Sequence, residues 1–367
     1  MGNWYVDILC HKFVPNSTNP LKEVDFLIVG QGIAGSLLAH ELIKRDRSVV
    51  IFDQTARPHS SSHIAAGLYN PITGRKMVKT WMADELFPVI APYYQRLEAE
   101  LRASFHRSMS IYRPFISTEE QNDWQGKAGS DIYHAFIRQI HTQSMGNQQV
   151  IDPYGGLELN YTGVVDLPVA LSSFKEYFQN KGMYQDEVFQ YRELMEADDY
   201  VTYGRWRASA VVFCEGTGVQ QNPFFKELKM RPVKGEVIDV KTEFVTNHIV
   251  NRGVFIIPRA EATFRVGSTY DNRDLSWQPT EAGSSMIKEK LEKIFRGSYE
   301  ITGRRAGVRP ATFDRRPFVG LLENRRGIGI FNGLGTKGVS LAPFFAPMMA
   351  DFLLGRGDIL PAADVNR

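Results

Sequence analysis

Cysteine is nearly absent from this sequence. Of the 367 residues, only Cys10 and Cys214 are cysteines, too few and too far apart for a disulfide framework or a metal-binding motif. The sequence therefore predicts no metal site. A chain that makes so little use of thiols is typical of a reducing compartment, and we expect a cytoplasmic protein.

Long apolar runs and an excess of one charge are also missing. No stretch approaches the roughly 20 apolar residues of a membrane span, and residues 1–22 lack the basic start and apolar run of a signal peptide. The chain has 43 basic and 41 acidic residues, a net charge of +2. Bulk charge therefore indicates no polyanionic partner, and the length favours two domains.

The clearest local pattern runs from Val24 to Gln54. Asp25 to Val29 is a short apolar run with the character of a strand, Ile33 to Lys44 has apolar residues at helical spacing, and Ser48 to Phe52 is a second buried strand that ends at Asp53. A strand, a helix and a strand within about 30 residues predict a parallel βαβ unit.

A glycine-rich turn joins the first strand to the helix of this unit. Its sequence is Gly30-Gln31-Gly32-Ile33-Ala34-Gly35. The first glycine permits a tight turn, the second lets a pyrophosphate approach the backbone, and the third lets the helix pack closely on the sheet. Asp53 is placed to accept hydrogen bonds from ribose hydroxyls. The pattern predicts a dinucleotide site, but its spacing does not separate FAD from NAD(P).

The rest of the chain alternates helical and extended patterns. Residues 59–73 form a polar loop, several β-type runs between Val233 and Thr269 predict an antiparallel sheet, and further helices and strands are expected elsewhere. The predicted helices are Trp81–Leu101, one within Val164–Lys181, Glu281–Phe295 and Val339–Leu354, and the predicted strands are Glu187–Glu196, Arg207–Cys214 and Gly327–Phe331. This order indicates a discontinuous cofactor domain with a second domain inserted in pieces.

Five ordered blocks resemble the D-amino-acid oxidase superfamily, especially glycine oxidase, D-amino-acid dehydrogenase and the oxidase domain of a tRNA-wobble-uridine modification enzyme. Besides the dinucleotide turn, the blocks are Ser60–Leu68 with its Ala-Ala-Gly, Lys234–Val237, Gly267–Asp271, Ala306–Pro317 and Gly333–Gly338. The resemblance extends from about Val24 to Leu354.

The resemblance implies an α/β fold, in which a Rossmann-like FAD-binding domain of the GR2 type carries an inserted α+β substrate domain built on a mixed or antiparallel sheet. The implied FAD-binding domain comprises 24–82, 157–225 and 303–356, and the substrate domain comprises 83–156 and 226–302. Residues 1–23 would be an N-terminal extension and 357–367 a C-terminal tail.

The resemblance also implies which residues contact FAD. The implied contacts are Gly30, Gly32, Ile33, Ala34, Gly35, Asp53, Gln54, Ser61, Ser62, Ala65, Ala66, Gly67, Leu68, Val188, Gly216, Arg309, Gly333, Gly335, Thr336, Lys337 and Gly338. A histidine directly before Ala-Ala-Gly would suggest a covalent flavin link. Here Ile64 occupies that position and His63 lies one residue earlier, so we expect non-covalent FAD.

For the substrate, the resemblance implies that Arg309 pairs with a carboxylate, since a guanidinium can donate two parallel hydrogen bonds to it. Tyr270 would cap the substrate, and Lys337 would add positive charge near the flavin. The implied activity is hydride transfer to flavin N5 from a small carboxylated amine, with oxygen or a quinone as electron acceptor.

Several alternatives stay open at this stage. Arg309 could instead be a structural residue paired with Asp314 or another acid. A carboxymethylaminomethyl-modified tRNA base also carries an amine and a carboxylate, although basic pairs such as Arg315-Arg316 are more typical of solvated loops. An NAD(P)-dependent dehydrogenase or a catalytically silent flavin-binding protein would share the dinucleotide turn.

Overall fold

The computed structural model describes residues 20–54, 60–74, 76–260 and 262–367. Cys10, most of the expected N-terminal extension and the first residue of the expected 59–73 loop lie outside the described residues.

Strands and helices make up similar shares of the regular structure in the described residues. The strands are β1 (Lys22–Val29), β2 (Val49–Asp53), β3 (Leu68–Tyr69), β4 (Ile72–Thr73), β5 (Val78–Lys79), β6 (His106–Ser108), β7 (Ile111–Pro114), β8 (Ile137–His141), β9 (Gly156–Leu159), β10 (Gly163–Val165), β11 (Tyr184–Asp186), β12 (Leu194–Glu196), β13 (Val201–Tyr203), β14 (Trp206–Phe213), β15 (Val233–Lys241), β16 (Ile249–Arg252), β17 (Val254–Pro258), β18 (Thr263–Gly267), β19 (Glu300–Arg309), β20 (Phe318–Leu321) and β21 (Ile328–Asn332).

The helices lie between the strands, with α1 near the start of the described residues and α7 near their end. They are α1 (Ile33–Ile43), α2 (Ser61–Ile64), α3 (Ala83–Leu101), α4 (Thr118–Ala128), α5 (Leu167–Asn180), α6 (Glu281–Leu291) and α7 (Gly338–Leu353), with short 3₁₀ helices at His134–Phe136, Tyr191–Glu193 and Gly216–Gln221. Within the described ranges, no helix combines the length and the apolar character needed to cross a bilayer.

The first large sheet has a parallel centre in the order β11-β2-β1-β14-β21, and β20 is antiparallel to β21. The predicted βαβ unit is confirmed as β1, α1 and β2. Side chains of β1 alternate between two cores, with Phe26 and Ile28 on the face that α1 covers and Leu27 and Val29 on the other. This alternation is what a central strand buried on both faces requires.

The second large sheet has the order β19-β15-β18-β17-β16-β7-β9-β8. Its pairs are antiparallel except for β16 and β7. The antiparallel arrangement predicted for Val233–Thr269 is confirmed, and so is the α/β class with a mixed second sheet. Helix α6 packs on one face of this sheet through Ile287 and Leu291.

The predicted domain boundaries at residues 157 and 303 fall inside β9 and β19, and both strands belong to the second sheet. Helix α3 lies against α7, where Tyr94 Oη donates to the Val339 carbonyl at 2.9 Å. The division of the chain into two domains therefore stays a prediction in its details.

The strand predicted at Glu187–Glu196 is wrong over most of its length. Only Leu194–Glu196 forms a strand, and the edge strand beside β2 is β11, which lies just upstream. The Phe189 ring stacks on Tyr203 with centroids 4.0 Å apart. Phe189 is therefore buried by packing on β13 rather than as part of a strand.

Candidate active site

The glycine-rich turn has the geometry that its sequence predicts. Gly30 has φ +101°, and a Cβ on it would lie 2.5 Å from the Cys214 carbonyl oxygen. A Cβ on Gly35 would lie 1.9 Å from the Gly30 carbonyl oxygen. Neither position accepts a side chain, so β1, α1 and β14 meet closely at the amino end of α1, the end of a helix that favours a phosphate group.

Asp53 lies directly beside this turn. Its carboxylate accepts hydrogen bonds from the backbone N–H groups of Gln31, at 2.7 Å, and Gln54, at 2.8 Å. The carboxylate is therefore fixed at the end of β2 next to the first turn of α1. This is the place where an adenosine ribose is expected when a dinucleotide lies across the turn.

The Ser60–Leu68 segment bridges the dinucleotide turn and the second sheet. Ser62 Oγ accepts from the Ile33 N–H at 3.3 Å, and the Ser61 hydroxyl donates to the Val308 carbonyl. Ile64 packs over Gly307, where an added Cβ would lie 3.0 Å from it. His63 is exposed. The residue directly before Ala-Ala-Gly is the apolar Ile64, which contacts β19.

The final glycine turn joins the same assembly. The Gly335 N–H donates to the Pro310 carbonyl at 3.2 Å, and a Cβ on Gly338 would lie 3.3 Å from the Ile33 side chain. Helix α7 begins at Gly338, one residue earlier than predicted, so its amino end lies at this point. Three blocks that are far apart in the sequence therefore meet around the amino ends of α1 and α7.

Asn332 is a site residue that the sequence reasoning missed. It is buried at the end of β21, its Nδ2 donates to the Gly216 carbonyl at 2.9 Å, and its Oδ1 accepts from the Gly333 N–H at 2.8 Å. It thereby connects two positions that the resemblance had placed near the cofactor. A polar residue directly after an apolar strand was the available signal. Val188, by contrast, lies half exposed in the loop after β11.

The Arg309 guanidinium lies in a narrow slot on the second sheet. Nη2 donates to Ser268 Oγ at 2.9 Å, and Nη1 donates to the carbonyls of Lys234 and Thr269 at 3.3 Å each. The floor of the slot is Gly235, where a Cβ would lie 1.9 Å from Nη2. Burial lowers the pKa of Arg309, a sign that the cation is held away from water.

Asp314 does not neutralise Arg309. It pairs with Arg367 at 3.0 Å, and among the described residues no carboxylate forms an ion pair with Arg309. The alternative of a structural Arg309–Asp314 pair is therefore wrong. Arg309 keeps its charge in a half-buried slot formed by neutral groups.

Tyr270 covers the slot from the solvent side. The Arg309 guanidinium carbon lies 4.6 Å from the centroid of its ring, and the tyrosine is 68% exposed. The loop that carries Tyr270 is tied down by Lys234, a fully buried lysine that donates to Asp274 at 2.5 Å and to Ser276 at 3.0 Å. The sequence analysis identified Lys234–Val237 only as a block of the resemblance and did not predict that Lys234 holds this loop.

Lys337 lies at the amino end of α7, with Nζ 3.4 Å from Thr80 Oγ1. Burial, followed by the nearby charges of Arg316 and Arg315, lowers the pKa of Lys337 to about 8. The described residues contain no group of three or more His, Cys, Asp or Glu side chains suited to a metal ion. The chemistry of the site is therefore cationic, around a glycine cradle.

Comparisons with known proteins agree with this architecture. The sequence model of the FAD dependent oxidoreductase (DAO) family matches residues 25–352. A glycine oxidase from Bacillus licheniformis is 23% identical, over 91% of this chain and 94% of that protein. The iminodiacetate oxidase structure from Chelativorans sp. BNC1 superposes with a TM-score of 0.77 at 20% identity, over 92% of this chain and 97% of that chain.

A third relative is the bifunctional protein of tRNA 5-methylaminomethyl-2-thiouridine biosynthesis from Marinobacter nauticus. It is 23% identical over 89% of this chain, but the match spans only 54% of its own length.

The fold and the glycine cradle define a flavin-type oxidoreductase. The chain belongs to the FAD dependent oxidoreductase family, because the match to that family covers nearly its whole length. The prediction of an FAD-dependent enzyme is confirmed, and the NAD(P)-dependent alternative is set aside. Gly32 is the position at which a pyrophosphate approaches the backbone, and a Cβ there would have only Ser62 Oγ nearby, at 3.3 Å.

Proposed function

We propose that the protein oxidises the C–N bond of a small carboxylated amine, either an amino acid or an N-substituted glycine. The observation that carries this proposal is the Arg309 slot. In the described residues the cation has no carboxylate partner and lies among neutral groups, one residue from Pro310, whose carbonyl accepts from the final glycine turn. A substrate carboxylate would supply the missing charge.

The hydrogen bonds of Arg309 leave room for a bidentate ligand. A guanidinium has five N–H donors. Three of those of Arg309 are used, two on Nη1 for the carbonyls of Lys234 and Thr269 and one on Nη2 for Ser268 Oγ. Two donors remain, which is the number that a carboxylate accepts in the parallel geometry. The slot therefore fixes the direction of the bound carboxylate as well as its charge.

When bound, FAD supplies the hydride acceptor for the reaction. The residues of the chain position the substrate and limit the access of water. Arg309 holds the carboxylate, Tyr270 covers it, and Ser61 ties the 60–68 segment to the strand that carries Arg309. Such a site works through orientation more than through a dedicated acid or base.

The cofactor contacts form part of the proposal. Non-covalent FAD would lie across Gly30–Gly35, with Asp53 at the ribose, the 60–68 segment along its middle and Gly333–Gly338 beside the flavin ring. The electron acceptor would be oxygen or a quinone, and the location cytoplasmic. The names of two relatives, glycine oxidase and iminodiacetate oxidase, support a carboxylated amine as the substrate class.

A second candidate is a carboxymethylaminomethyl-modified tRNA base. Besides the tRNA-modifying relative, one structural observation favours it. Phe313 is 68% exposed, and the Arg231 guanidinium carbon lies 5.9 Å from its ring centroid. Exposed aromatic rings beside arginines suit stacked bases.

The test is an anaerobic screen in which amines are added to the FAD-loaded protein and bleaching of the flavin absorbance is followed. We expect bleaching by at least one amine that carries a carboxylate on the oxidised carbon, and none by the matching amine without the carboxylate. Arg309→Lys keeps the charge but removes the fork, and should raise the concentration needed for half-maximal bleaching. If no carboxylated amine bleaches the flavin, or if Arg309→Lys responds as the wild type does, the proposal fails.

A further inference from the structure

A second group of cations lies on the segment that follows Arg309 and on the final glycine turn. We call Arg315, Arg316 and Lys337 the cationic cluster. In the described part of the chain, none of the three side chains forms an ion pair with a carboxylate. The Arg316 guanidinium carbon lies 4.1 Å from the ring centroid of Trp81, and Lys337 contacts the adjacent Thr80. Arg316 and Lys337, which lie on different chain segments, therefore contact two neighbouring residues, Trp81 and Thr80.

Two carboxylates, one next to the cationic cluster in sequence and one close to its contact residue Trp81, are already engaged. Asp314 pairs with Arg367 at 3.0 Å and also accepts from the backbone N–H of Arg316 at 2.9 Å. Asp84 pairs with Lys79 at 2.5 Å. Asp314 is shared with Arg367 and does not neutralise the three cations. The cationic cluster therefore keeps an excess of positive charge.

This charge is partly buried and therefore costly. Arg316 and Lys337 are half-buried, and only Arg315 is exposed. Like charges held together in a partly desolvated place destabilise one another. A bound anion would remove that repulsion, in the same way that a carboxylate would at Arg309.

The backbone places the cationic cluster within reach of a ligand on Arg309. Pro310, which follows Arg309, accepts a hydrogen bond from Gly335, and Lys337 comes two residues later. The path runs from Arg309 to Pro310, across the hydrogen bond to Gly335, and along two residues to Lys337. Its summed Cα–Cα distances place the Cα atoms of Arg309 and Lys337 within roughly 17 Å of each other. Because both side chains are long, this separation is within the combined length of the two side chains and a small ligand between them.

We infer that the cationic cluster binds a second anionic group of the substrate, a carboxylate or a phosphate, while Arg309 holds the first. The substrate class is then a carboxylated amine with an anion at its far end, such as an amino-dicarboxylate or a phosphorylated amine. This inference rests on the proposed function, and its test separates the two.

The experiment measures the binding of carboxylates that cannot be oxidised, through the change they cause in the flavin spectrum of the FAD-loaded protein. The probes are acetate, the diacids malonate, succinate and glutarate, and phosphonoacetate. We expect one probe with two anionic groups to bind about tenfold more tightly than acetate, or better, as one added charge-assisted contact allows. The comparison of the diacids with phosphonoacetate shows whether the second anion is a carboxylate or a phosphate-like group.

The variants are Arg316→Gln and Lys337→Gln, which lie on different segments, so that one can report if the other fails to fold. In both, the ratio of the acetate Kd to the diacid Kd should fall toward one, and Lys337→Arg should restore it. The control is Arg326→Gln, an exposed arginine paired with Asp199 on the far edge of the first sheet. It should keep the wild-type ratio.

Three results would overturn the inference. In the first, the diacids bind no better than acetate, or their advantage survives in both variants. In the second, the variants shift only the flavin reduction potential and leave the ratio unchanged, so that the cationic cluster serves the cofactor. In the third, unfractionated tRNA displaces acetate from the wild type but not from Arg316→Gln, so that the cationic cluster contacts a nucleic acid. By contrast, acetate binding that is insensitive to Arg309→Lys would refute the proposed function itself.

Discussion

Replacing Gly235 with alanine tests the Arg309 slot without touching the arginine. An alanine Cβ would lie 1.9 Å from Nη2, 2.2 Å from Cζ and 2.3 Å from Nη1 of Arg309. These distances are well inside van der Waals contact, so the guanidinium must leave its three hydrogen-bond partners. Gly235 does not have a left-handed φ, so its backbone conformation accepts alanine.

The expected effect is a loss of carboxylate binding with the cofactor retained. Hydrogen bonds to charged groups contribute about 1.5–3 kcal/mol each. Displacing the two donors that face the substrate should therefore cost about 3 kcal/mol or more, which is at least about a hundredfold in Kd. The assay is acetate titration of the flavin spectrum, with the FAD content measured in parallel.

Gly303→Ala is the matched control for this prediction, because it lies in β19 of the same sheet. Its Cβ would lie 3.5 Å from Asp239 Oδ2, an ordinary contact, and acetate binding should not change. If Gly235→Ala binds acetate as tightly as the wild type does, the guanidinium in the slot is not the carboxylate receptor.

The other predictions concern the cradle, the loop that covers the slot and the pH dependence. Gly35→Ala forces a Cβ to within 1.9 Å of the Gly30 carbonyl oxygen, so the purified protein should carry little FAD and melt several degrees lower; a normal FAD content would contradict the cradle geometry. Lys234→Met removes the buried cation that holds Asp274, so the loop that carries Tyr270 should loosen and the KM for the amine should rise more than kcat falls; an unchanged KM would contradict this role. Lys337 loses its charge as the pH rises through its pKa of about 8, so diacid affinity should fall above pH 8 while acetate affinity holds; parallel pH profiles would contradict the assignment of Lys337 to the second anion.

The local part of the fold could be predicted from the sequence. The unit β1, α1 and β2 differs from the expected bounds by three residues or fewer at each end. Its apolar spacing is a property of neighbouring residues, and both strands are buried on two faces, so the signal is strong. Helix α3 was also found, and it contains Pro88 and Pro92 within a continuous helix.

The strand predicted at Glu187–Glu196 was wrong because the β-propensity of a segment depends on packing that a local pattern does not show. Phe189 packs on Tyr203 of β13 from outside the sheet ladder. Asn332 was missed because its two hydrogen bonds join segments that no local pattern connects.

The candidate site depends on register, which the sequence alone did not supply. In the pairing of β15 with β19, Gly235 lies directly opposite Gly307. Directly opposed residues share one face of a sheet, so two missing side chains leave a gap on that face. Arg309 fills the gap over Gly235, and Ile64 of the 60–68 segment fills it over Gly307. The sequence marked both glycines only as parts of separate blocks. Their juxtaposition explains how the proposed substrate cation and the proposed flavin segment come to lie side by side, because a larger residue at either position would push one of them off the sheet.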